Sequence, residues 1–202
     1  MNEQQKQALL GAVCDGFWAW WAEALPEVLQ VEFSGVQLWI PPRAPDRPPG
    51  GRLAIRFEDP ACVGFLARSA ALADDWPREM SADELEPFAM SGEEVVLGDA
   101  TGIREVLKRA RRIDRVFGAE PEDFDWEAAP AKMGFWAGSA GLVVAAAKLQ
   151  VVTHEGDLDH ELLPDLHTRW WAYHREYWER KDGPDPLPYD VLCEITIPVR
   201  SP

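Results

Sequence analysis

Cysteine is scarce in this chain: Cys14, Cys62 and Cys193 are its only three, far apart in 202 residues and never in a CxxC spacing. An odd, dispersed set of thiols makes neither a disulfide framework nor a zinc ribbon, and it suits a reducing compartment. Positive charge is scarce as well. Twenty Lys and Arg stand against 35 Asp and Glu, a net charge of −15, which excludes the basic surface that nucleic-acid backbones and anionic membranes require. No apolar run reaches a bilayer span, the longest stretch without charge being the fifteen residues Met133 to Ala147. The opening MNEQQKQ lacks the basic segment and apolar core of a secretory leader. Together these absences predict a cytoplasmic protein that engages neither nucleic acid nor membrane. The phosphate-cradling patterns GxxxxGK[ST] and GxGxxG are missing, as is HExxH, so the sequence implies no cofactor and no metal.

Tryptophan, by contrast, is abundant, with ten residues in a composition that is 47% hydrophobic. A chain of this length buries roughly 70% of its unfolded surface, so one acidic, Trp-rich α+β domain over residues 1–202 is expected. The densest aromatic stretch is Asp165 to Lys181, DLHTRWWAYHREYWERK. At helical spacing it makes two adjacent stripes: Leu166, Trp170, Tyr173 and Tyr177 beside His167, Trp171, His174 and Trp178. The spacing predicts a helix whose aromatic face needs cover.

Elsewhere the periodicities alternate between helix and strand. Glu3 to Leu25 reads as a long helix through Leu9, Ala12, Val13, Phe17, Trp20 and Trp21, closed before Pro26. Val31 and Phe33, then Val36, Leu38 and Ile40, alternate in opposite phases, which predicts a bulge or turn at Ser34-Gly35. Arg52 to Glu58 alternates as a half-buried strand, and the Pro-rich residues 41–51 join the two as a hairpin connection. Asp59-Pro60 reads as a helix start leading into Cys62, Val63, Leu66 and Ala70, and Ser81 to Glu84 as a capping box. Glu93 to Gly98 reads as a short strand. Thr101 to Phe117 reads as one helix ended by Gly118, and Ala131 to Val152 as a buried helix, with a short strand at Leu149 to Thr153 as an alternative ending. Val191 to Val199 alternates as a closing strand. This order lacks regular βα alternation, so the expected fold is an antiparallel or mixed sheet of four to five strands packed by several helices.

Four groups of residues could carry chemistry. Ala137-Gly138-Ser139-Ala140-Gly141 resembles a relaxed nucleophile elbow followed by a helix-like run, with acids and histidines after it in hydrolase order, although the preceding KMGFW is short for a buried strand and repeated βα units are missing. All four histidines fall between His154 and His174; His167 and His174 are seven apart, roughly 10 Å along a helix, too far to chelate one ion. Arg104, Lys108, Arg109, Arg111, Arg112 and Arg115 make a basic stripe against only Glu105 and Asp114, either an anion site or a solvated face that offsets neighbouring acids.

The fourth group is Glu120, Glu122, Asp123, Phe124, Asp125 and Trp126, carboxylates interleaved with two rings. Exposed, such a segment would suit capture of a basic protein, the acids speeding encounter and the rings holding it. The functional expectation is therefore a non-catalytic acidic binding protein of a bacterial type. Its most concrete form is an immunity or inhibitor protein that occludes a basic toxin or nuclease. The alternatives are a hydrolase or metal-dependent enzyme using Ser139 or the His154 to His174 region, and a secretion or assembly chaperone.

Overall fold

The structure is a computed structural model that describes residues 1–14, 20–25, 27–68, 92–137 and 140–188. Among them are helix α1 (Glu3–Cys14), strands β1 (Trp20–Leu25), β2 (Val28–Val36), β3 (Gly51–Ala67) and β4 (Gly92–Leu97), and helix α2 (Ala100–Lys108). There follow β5 (Arg112–Gly118), β6 (Ala131–Ala137), β7 (Ala140–Thr153), β8 (Gly156–Leu158), a 3-10 turn (His160–Leu162) and helix α3 (Leu163–Arg180). The eight strands form one antiparallel sheet in the order β1-β2-β3-β7-β6-β4, with β5 paired to β3 and β8 to β7. The expected α+β class and antiparallel pairing hold, but the sheet has eight strands rather than four to five.

The extra strands come from segments with helical periodicity. Asp59-Pro60 starts no helix: it lies within β3, where the register slips between Pro60 and Cys62 and one edge of the strand passes from β2 to β5. A proline without an N–H is tolerated at such an irregularity. Ala131 to Val152 is the hairpin β6-β7, in register from Ala131↔Ala146 to Ala137↔Ala140. Thr101 to Phe117 divides into α2 and β5, and Glu3 to Leu25 into α1 and β1. Phe17, Trp18, the capping box at Ser81 and the strand expected from Val191 lie outside the described residues.

These strands conceal their period because both faces of the sheet are covered. On one face α1 and the start of α3 lie over Phe33, Ile55, Phe65, Phe135 and Val144. On the other, α2 and the segment after β5 lie over Cys62, Leu66, Trp136, Val143 and Ala145. Residues 62–67 and 140–146 thus alternate between two cores, and none faces water. A strand buried on both faces reads as a continuous apolar run, like a buried helix.

β2 ends at Val36, short of the alternating Leu38 and Ile40, while several other expectations hold. The Ser34-Gly35 irregularity is a register shift between Ser34 and Val36, with Gly35 at φ 75°, and β2 and β3 flank the Pro-rich connection as partners. The aromatic helix runs over Leu163–Arg180 with Pro164 in its first turn. No described helix is long and apolar enough to cross a membrane.

Candidate functional site

The acidic segment Glu120 to Glu127 follows β5 and folds back across β3. Gly118 makes this reversal: its φ is 72°, and a Cβ there would lie 2.1 Å from the Ala61 carbonyl oxygen, so only glycine fits. The Ala119 N–H donates to the same carbonyl at 2.9 Å. Pro121 then seats on bare backbone, where a Cβ on Gly64 would meet Pro121 Cγ at 2.4 Å.

Trp126 fixes the loop from inside. Its ring is 1% exposed in the second core, meets Phe124 edge to face at 5.0 Å, and donates from Nε1 to the Pro121 carbonyl at 2.9 Å. The expectation of two exposed rings is thus corrected for Trp126, which is a structural peg; Phe124 is half-buried. A tryptophan buries its large ring wherever its N–H can find an acceptor, and the loop's own carbonyl supplies one. Lys132 on β6 adds a second peg. Its buried ammonium donates to the Trp126 carbonyl at 2.6 Å and the Glu127 carbonyl at 3.3 Å. Lys132 was overlooked in the sequence, although it is the only charge between Pro130 and Lys148. A solitary cation in an apolar strand was the signal for it, since burying an ammonium is costly unless carbonyls take its protons.

The carboxylates face outward. Glu120, Glu122, Asp123, Asp125 and Glu127 are all exposed. Two of them engage the basic stripe, Glu120 with Arg115 at 3.3 Å and Glu127 with Arg104 at 2.9 Å. Lys108 and Arg112 contact Glu105 at 2.6 Å and Asp114 at 2.9 Å. The stripe therefore spans α2 and β5 and offsets acids beside it, rather than lining one helix. Glu122, Asp123 and Asp125 form no ion pair among the described residues. Asp125 instead accepts the Glu127 N–H at 3.2 Å, a local turn contact.

The other candidate groups do not converge. Gly138 and Ser139 lie outside the described residues; the strands that precede and follow them are antiparallel, Ala137 pairing with Ala140, where an elbow requires a helix after the serine. His154 lies 3.0 Å from the Glu155 carboxylate, and His160 sits in the 3-10 turn, where burial first of all lowers its pKa. Among the described residues no three His, Cys, Asp or Glu side chains are grouped to hold a metal ion. Cys62 is buried in the second core, its thiol pushed up to about 12 by burial and then by the Glu120 charge.

His167 and His174 belong to the aromatic helix. Trp170 is buried at 9% exposure, Tyr173 lies 5.6 Å from Trp39, and the Arg169 guanidinium sits 4.9 Å from the Trp39 ring centroid. His167 rests on α1, where a Cβ on Gly11 would stand 2.9 Å from its Cε1. Toward the end of the helix Trp178 is half-exposed. No family model, curated protein or solved structure gives a significant match to the chain.

Proposed function

We propose that this chain is a non-catalytic acidic binding protein, of the kind that inhibits or confers immunity to a basic toxin or nuclease by covering its cationic surface. The supporting observation is that Glu122, Asp123 and Asp125 are exposed and, among the described residues, form no ion pair, on a loop held by Trp126, Lys132 and Pro121. A loop fixed before binding loses little conformational entropy on docking, so its charges act at full effect on a complementary surface. Clustered carboxylates also steer a cationic partner during encounter. With Trp126 buried, the contact surface of this site consists of carboxylates and the open part of Phe124.

Affinity purification from the native host tests the reading. The chain should retain a basic protein at low ionic strength and release it as salt shortens the screening length from about 30 Å at 0.01 M to about 3 Å at 1 M. The triple variant Glu122→Gln, Asp123→Asn, Asp125→Asn should bind that protein at least about tenfold more weakly, chiefly through slower association. Recovery of no basic protein, or equal retention by the neutralised variant, overturns the proposal.

A further inference from the structure

His174 is enclosed by three indoles. Its ring stacks on Trp170 with centroids 5.0 Å apart and 17° between planes, and it meets Trp171 at 5.3 Å and Trp178 at 6.1 Å, both edge to face. Trp178 Nε1 donates to His174 Nε2 at 3.0 Å. One heptad earlier, Trp171 Nε1 donates to His167 Nε2 at 3.1 Å. An indole nitrogen can only donate, so each Nε2 it meets presents a lone pair, and the imidazole is neutral with its proton on Nδ1. Adding a proton to Nε2 sets two donors against each other. The two pairs differ in their freedom to respond: Trp171 is half-buried and His167 is wedged on Gly11, whereas Trp178 is 50% exposed near the end of the helix.

We infer that the His174–Trp178 contact is a proton-operated latch on the last turns of α3: a neutral imidazole holds the indole, and protonation at Nε2 releases it. Among the described residues, burial outweighs every charge in setting the proton affinity of His174. On α3, Arg175 adjoins His174; just beyond the helix, the Lys181 ammonium lies 4.2 Å from the Trp178 ring centroid. On α1, Glu3 and Lys6 pair with each other at 3.6 Å. The 3-10 turn carries His160 and Glu161, and the segment before β3 carries Arg43, Asp46 and Arg47, none of which shifts the proton affinity of His174. After the helix come Asp182 and Asp185, the latter bound to Arg180 at 2.7 Å. Burial lowers the pKa of His174 from 6.5, and none of these described carboxylates raises it.

The sign follows from that direction. The folded protein holds this proton more weakly than the unfolded chain, so the latch adds its full stability above pH 6.5 and loses it as pH falls through the depressed folded value. Release turns out an indole that already reaches solvent and separates it from Lys181, leaving the buried Trp170 side of the helix packed.

Proton–nitrogen correlation spectra of the indole N–H groups test this, with the Trp178 resonance assigned by its loss in Trp178→Phe. Between about pH 8 and about pH 5 the resonance should move upfield together with the His174 ring signals, with a midpoint below the ordinary histidine value. In His174→Gln, whose Oε1 can take the acceptor position without titrating, it should stay at its high-pH position throughout. In His174→Phe, which keeps a ring but no acceptor, it should stay at the released position. A midpoint at or above 6.5 overturns the latch. So does an indole signal that stays still while His174 titrates, or one that still titrates in His174→Gln. Circular dichroism verifies that each variant is folded, and if either fails to fold the wild-type titration decides alone.

Discussion

Two regions combine acids with aromatic rings, and they arrange them in opposite ways. In the loop after β5 the tryptophan points inward and the carboxylates outward, because the Trp126 N–H finds the Pro121 carbonyl beneath it. On α3 the aromatic stripe is wider than its cover, so Trp171 and Trp178 satisfy their N–H groups on histidines four residues earlier. A ring's direction is thus set by where its donor finds an acceptor and by whether a second layer lies below. Composition alone does not distinguish a peg from a surface ring.

The largest test of this contrast is Trp126→Ala, which empties the second core beneath the loop and should cost about 3–5 kcal/mol in urea-unfolding experiments. A cost near that of a surface substitution would mean that the loop does not depend on its peg. Next come the two glycines that accept the neighbouring layer. Gly64→Ala drives a methyl into the rigid Pro121 ring, 2.4 Å from its Cγ, and should cost about 1–3 kcal/mol. Gly11→Ala sets a methyl 2.9 Å from the wedged His167 imidazole, a clash that up to about 1 kcal/mol of helix propensity offsets, so its loss should be smaller than that of Gly64→Ala. Equal losses at the two sites would show the loop and helix contacts to be alike. The smallest effect belongs to Trp178→Phe, which keeps the half-exposed ring and removes one hydrogen bond. Its unfolding free energy should stay within about 0.5 kcal/mol of the parent at neutral pH.

The aromatic helix, the β2-β3 hairpin with its irregularity at Ser34-Gly35 and the strand near Val95 were legible in the sequence. Each has water on one side or a glycine in the turn, so its period or break is visible. β6, β7 and the second half of β3 were not. Covered on both faces, Val143, Val144 and Ala145 are all apolar although they alternate between two cores. The acidic loop was readable as charge, and its carboxylates are indeed exposed. The inward turn of Trp126 was not, because it depends on Gly64 and Lys132, which come from strands far from the loop in sequence or assigned there to a helix.

The long β3-β7 ladder also bears on how the chain assembles. It joins the second quarter of the sequence to the last third, from Ala54↔Val152 to Ala67↔Ala140, while every other strand except β1 and β4 attaches directly to one of these two. The local hairpins β1-β2 and β6-β7 can zip quickly, but the sheet is whole only after this distant pair has met. Loop closure on that scale precedes any reward from packing, so the ladder is expected to form slowly, and damage at its centre should lengthen refolding times more than damage to either hairpin.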